Sequence, residues 1–263
     1  MVESAETTAL LTLDGPVATI TMNRPAAYNS FNKDMAMRVQ QHLDTCHENR
    51  AIRAVVLTGA GKAFCAGQDL VEVKDLDDEA LLNIVETYYN KIVKQIRALP
   101  KPVIAAVNGV AAGAGANIAL ACDLVVASEK ASFIQAFSKI GLIPDSGGTY
   151  TLPRLIGLQR ATALMMLGEK VSANDAEQMG MIYKAVSVEE FGETVEQLAR
   201  QLGNMPTKGL AFTKALLNKS FQHSLEAQLE MEGHYQQQAG RTADYKEGVA
   251  AFVEKRQPQF TGQ

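Results

Sequence analysis

Apolar and polar residues first alternate along the chain with a period of two. Leu11–Leu13 and Val17–Met22 flank Asp14-Gly15-Pro16, and Ala18, Ile20 and Met22 share one face. That pattern predicts a hairpin, ended by Arg24-Pro25. Over Lys33–Glu48 the period lengthens, and Met35, Val39, Leu43 and Cys46 line one helical face. Arg53–Thr58 reads as a buried strand stopped by Gly59, followed by a loop with Gly61 and Gly67. Val85, Tyr88, Ile92, Ile96 and Leu99 mark a long amphipathic helix that Pro100 and Pro102 end. Val103–Val107 and Leu124–Ala127 are two further buried strands. This β–α–β–α–β alternation points to an α/β fold.

The second half reads as mostly helical. Ser172 with Asp175, and Ser187 with Glu190, have capping-box spacing. Thr207–Asn218, Leu225–Gln238 and Ala243–Lys255 are predicted helices, and Pro258 and Gly262 suggest a loose tail. The expected organisation is a core domain over residues 1–186 and a helical region over 187–263, with no sharp boundary between them.

Composition narrows the class. The 263 residues are 47% hydrophobic, enough for one sizeable core. The net charge of −4 argues against a general nucleic-acid surface. No apolar run approaches the ~20 residues of a membrane span, and the short acidic start is unlike a targeting peptide. A cytoplasmic protein with no membrane or nucleic-acid partner is expected. Cys46, Cys65 and Cys122 fit neither a disulfide framework nor a metal site and read as small buried residues. No nucleotide-phosphate loop is visible.

Three segments carry candidate chemistry. The first is Ala63-Phe64-Cys65-Ala66-Gly67-Gln68-Asp69-Leu70. The second is Asn108-Gly109-Val110-Ala111-Ala112-Gly113-Ala114-Gly115-Ala116-Asn117. Each follows a buried strand, and the second leads into a helix whose first turn holds only Gly and Ala. Glycine costs up to ~1 kcal/mol inside a helix, so these positions need a reason. Either free N–H groups there face an anion or a developing oxyanion, or the helix and strand pack closely. The third segment is Phe137-Ser138-Lys139-Ile140-Gly141-Leu142-Ile143-Pro144-Asp145-Ser146-Gly147-Gly148-Thr149. Asp145 sits where a helix N-cap would sit. It is either that cap or a carboxylate at the rim of an apolar pocket, where burial raises its pKa and a helix N-terminus lowers it.

In order and spacing these segments resemble the crotonase (enoyl-CoA hydratase/isomerase) superfamily, from about Leu11 to the C-terminus. The resemblance implies a spiral of ββα turns, a helical trimerisation region, and a homo-trimer or hexamer acting on acyl-CoA. It implies an oxyanion hole made by the backbone N–H groups of Gln68 and Ala114. It also lays Ala66, Gly67, Gln68, Asp69 and Leu70 along the CoA, with Gly113 beside them. CoA is then part of the substrate, and no cofactor or metal is expected.

In the superfamily's hydratases two glutamates stand where this chain has Asn117 and Phe137. Neither residue shuttles a proton at neutral pH, which argues against hydration. Asp145 is left as the acid/base for a proton shift. Phe137 and Leu142 are either an apolar wall of the pocket or plain core. Ala136–Asp145 and Ala239–Gly248, with the final Pro258–Gly262, look like the ring-1,2-epoxyphenylacetyl-CoA isomerases of aerobic phenylacetate breakdown. The rival readings are a Δ3,Δ2-enoyl-CoA isomerase, a dehalogenase or thioesterase with Asp145 as nucleophile, and a non-catalytic acyl-CoA-binding subunit.

Overall fold

A computed structural model of the protein describes residues 7–74 and 77–263. The hairpin forms as the alternation predicts: β1 (Ala9–Asp14) and β2 (Val17–Met22) pair antiparallel. Helix α1 (Lys33–Glu48) is capped by Asn32, whose side chain accepts the Met35 N–H at 2.9 Å. Its Met35, Val39, Leu43 and Cys46 are all buried.

One plan then repeats: a strand of a large sheet, a three-residue strand of a small sheet, then helix. First come β3 (Ala54–Gly59), β4 (Ala63–Cys65), α2 (Leu70–Val73), α3 (Asp78–Ile84) and α4 (Asn90–Ala98). Next are β5 (Val103–Val107), β6 (Val110–Ala112) and α5 (Ala114–Ala121), then β7 (Leu124–Ser128), β8 (Ser132–Ile134), α6 (Gly148–Ile156) and α7 (Leu158–Leu167). The simple β–α alternation read from the pattern is thus corrected by an inserted strand in each turn.

After α7 come β9 (Lys170–Ser172), α8 (Ala173–Gln178) and β10 (Lys184–Val186). The chain then continues through α9 (Val188–Asn204), α10 (Thr207–Lys219), α11 (Leu225–Ala239) and α12 (Ala243–Glu254). Among the described residues the strands form a six-stranded sheet, β1-β2-β3-β5-β7-β10, and a four-stranded one, β4-β6-β8-β9. Pairing in the large sheet is parallel from β2 to β10. One face of that sheet packs on α1, α4 and α5 around Ile20, Leu57, Ile92, Ile96 and Val107. The other buries Val56, Ile104 and Val126 beneath Val195, Ala199 and Leu202 of α9.

The amphipathic helix begins earlier than the pattern predicts. Helix α3 runs directly into α4 through a π turn over Val85–Tyr89. The tail is not loose. Buried Asp244 on α12 accepts the Thr261 N–H at 2.7 Å on one carboxylate oxygen and the Gly262 N–H at 2.8 Å on the other. Arg53 donates to the Phe260 carbonyl at 2.8 Å. Charge-assisted hydrogen bonds of this kind outweigh the freedom of a short Gly- and Pro-containing end.

Candidate active site

The glycine-rich segments converge at the C-terminal ends of the small-sheet strands β4 and β6. Gly67 has φ 95° and Gly113 has φ 52°, backbone that L side chains rarely adopt. A Cβ on Gly67 would stand 3.0 Å from the Ala112 carbonyl oxygen and 3.7 Å from the Ala114 nitrogen. Gly115 answers to packing instead: a Cβ there would fall 2.3 Å from the Cys65 carbonyl oxygen. Close packing thus accounts for Gly115, while Gly67 and Gly113 are required by their positive φ.

The ladder around Gln68 decides where its N–H points. Phe31 N–H donates to the Gly67 carbonyl at 2.7 Å and Asp69 N–H to the Phe31 carbonyl at 2.9 Å. Gln68 N–H, between them, is directed away from Phe31. Ala114 is the first residue of α5, whose leading N–H groups have no acceptor inside the helix. Among the described residues neither N–H has a hydrogen-bond partner.

A cavity of about 150 Å³ lies against these segments. Ala66, Gly67, Gln68 and Leu70 line it from one side, Gly113 and Ala114 from a second, and Phe137, Leu142 and Asp145 from a third. Leu81, Ile84, Val85 and Tyr89, none of them singled out in the sequence as site residues, close it. Tyr89 follows Tyr88 directly, and no single helical period marks both; the π turn turns both inward. Asp69 is not brought to the cavity. Its carboxylate pairs with Arg24 at 2.9 Å and accepts the Val71 N–H at the start of α2.

Asp145 is not the cap of α6. That helix starts at Gly148 behind Gly147, whose φ is 75°, and only the Asp145 backbone carbonyl serves the turn, accepting Gly148 N–H at 2.8 Å. The carboxyl group is left to the cavity. Burial pushes its pKa above the ordinary aspartate value, and the Ser146 hydroxyl, donating to Oδ1 at 2.7 Å, opposes that shift. Ser146 is buried with φ 52°, an uncommon backbone for a non-glycine residue. Among the described residues Asp145 is the only carboxylate lining the cavity.

Residues 13–263 match the family described as enoyl-CoA hydratase/isomerase. The chain belongs to that family. It is 49% identical over 250 residues to the 1,2-epoxyphenylacetyl-CoA isomerase of Escherichia coli (strain K12), which covers 94% of this chain and 95% of that protein. A probable enoyl-CoA hydratase of Rhodobacter capsulatus is 43% identical, over 94% of this chain and 95% of that protein. The crystal structure of enoyl-CoA hydratase from Bacillus anthracis superposes with a TM-score of 0.93 at 34% identity, covering 97% of this chain and 100% of that one.

The enoyl-CoA hydratase/isomerase fold gives Asn117 and Phe137 distinct surroundings. Asn117 is buried on α5; its side chain donates to the Asp145 carbonyl at 2.9 Å and accepts from Gln135 at 2.7 Å. A Cβ on Gly148 would lie 2.3 Å from the Asn117 amide nitrogen, so the missing side chain lets α6 approach. Phe137 reaches the cavity, its ring edge 3.7 Å from where a Gly113 Cβ would stand. A family member with these residues keeps one ionisable carboxyl at the cavity, supported from behind by an amide.

Proposed function

We propose that this enzyme isomerises a CoA thioester, 1,2-epoxyphenylacetyl-CoA, to the seven-membered oxepin thioester. The observation that carries the reading is the lone carboxylate Asp145 in an apolar cavity, with Asn117 and Phe137 where a hydratase would need its acid/base pair. Expansion breaks the carbon–carbon bond shared by the epoxide and the six-membered ring. Asp145 then takes the proton alpha to the thioester and returns it to a ring carbon, so no atom is gained or lost. The negative charge that builds on the thioester oxygen lies between the N–H groups of Gln68 and Ala114. An oxyanion donor of this sort is worth about 3–4 kcal/mol in the transition state. Ala66, Gly67 and Leu70 border the CoA chain, and Phe137 and Leu142 form a wall suited to a flat ring. The 49% identity to the Escherichia coli isomerase supports this substrate.

The test is Asp145→Asn. The variant is expected to bind acyl-CoA as before and to lose at least ~10²-fold in turnover. Near-full turnover would overturn the assignment. Crotonyl-CoA in water is expected to stay unhydrated, because two groups are needed to polarise the attacking water. Turnover of a linear 3-enoyl-CoA without turnover of the epoxide would move the reading to a Δ3,Δ2-enoyl-CoA isomerase on the same residues.

A further inference from the structure

The π turn over Val85–Tyr89 interrupts a helix that is regular on both sides, and such turns are frequent at functional sites. Here the extra residue turns both Tyr88 and Tyr89 inward, and Tyr89 reaches the cavity wall. The Tyr89 ring stands edge-on to Phe31, centroids 5.6 Å apart. Its hydroxyl donates to Oε1 of Gln68. The amide nitrogen of the same side chain donates to the Phe31 carbonyl at 3.0 Å and to the Asp69 carbonyl at 3.3 Å. Gln68 is therefore held at both ends of its side-chain amide, and its backbone N–H is directed away from Phe31 on a residue that lines the cavity. Burial keeps the phenol protonated, so it remains a donor.

We propose that Tyr89, placed by the π turn, is a positioning residue that fixes the Gln68 peptide for enolate stabilisation. It acts through the Gln68 side chain without touching the reacting atoms. The proposal rests on the oxyanion reading of Gln68. It makes Tyr89 matter more to the anionic transition state than to the bound ground state, because peptide orientation counts most when charge has developed.

Tyr89→Phe keeps the ring against Phe31 and removes only the hydroxyl. It is expected to lower kcat about tenfold with KM within about twofold, a differential transition-state loss. A spectroscopic probe separates positioning from general damage. Acetoacetyl-CoA bound between oxyanion donors ionises to its enolate, which absorbs in the near ultraviolet. Wild type is expected to show that band and Tyr89→Phe to lose most of it, while affinity for a saturated acyl-CoA stays unchanged. Gln68→Met should produce the same loss, and the double variant should be no worse than Gln68→Met alone. A full band with unchanged kcat in Tyr89→Phe overturns the proposal, as does an equal loss of kcat and saturated-ligand affinity. If wild type binds acetoacetyl-CoA without the band, the oxyanion reading itself falls and takes this one with it. A band that survives the substitution sinks only the role of Tyr89.

Discussion

In the proposed reaction Ser146 and Asp145 set the pH behaviour of the site between them. Asp145 acts as a base only when ionised, and burial holds its pKa above the ordinary value. Activity is therefore expected to fall as pH drops through that raised pKa. Ser146→Ala removes the hydroxyl that favours the ionised form, so the acid limb of kcat/KM should move to higher pH. A pH–rate profile of the two proteins checks this, and an unmoved limb would refute it. The same burial has a stability consequence of opposite sign to the usual aspartate. A native pKa above the unfolded one means that the folded state binds the proton more tightly, so ionisation destabilises it. Asp145→Asn should melt at a higher temperature than wild type near pH 7, and the gain should shrink as pH falls toward the unfolded value of about 3.9. Thermal melts across that range read it directly.

Several elements longer than one full period were legible in the sequence, but α7 (Leu158–Leu167) and α3 were not. The hairpin, α1, β5 and the capped starts of α8 and α9 follow from apolar spacing and Ser side chains at the right offsets. Strands β4, β6 and β8 were not, because three residues do not complete an alternation. The π turn is equally silent, since it is defined by a shift in hydrogen-bond partner and not by residue type. At the site, the motif segments mark Gln68, Ala114 and Asp145. The left-handed Ser146 and the inward Tyr89 depend on tertiary packing that no local pattern encodes. The C-terminal tail belongs with these cases, because its anchor, Asp244, lies on a different element. Asp244→Ala should cost about 2–3 kcal/mol in urea unfolding, the scale of a hydrogen-bonded buried charge. It should also release the Thr261 and Gly262 amides to rapid hydrogen exchange.

At the scale of the molecule, the later helices are tied to the spiral by a buried cation. Lys214 on α10 donates to the Ile96 carbonyl at the end of α4 at 2.7 Å and to the Lys101 carbonyl at 3.2 Å, and pairs with Asp123 at 2.7 Å. Asn218 on the same helix donates to the Arg97 carbonyl at 2.9 Å. Lys214→Met should destabilise the fold by about 1–3 kcal/mol, because the buried Ile96 and Lys101 carbonyls lose their donor while Asp123 keeps Arg97 and the Val103 N–H, measured as a shift in urea midpoint. Among the described residues no helix is long and apolar enough to cross a membrane. The exposed Ile143, Leu158, Met166 and Leu167 support self-association, and light scattering is expected to give three or six times 28.4 kDa. The contact between Asn117 and Gly148 constrains position 117. A glutamate at 117 brings an acceptor-only group against the Asp145 carbonyl and one more methylene into a space that α6 already fills. Placing glutamate at 117 would remove the amide that donates to the carbonyl of the loop carrying Asp145. Asn117→Glu alone is therefore expected to loosen the seat of the Asp145 loop, which a lowered urea midpoint would report.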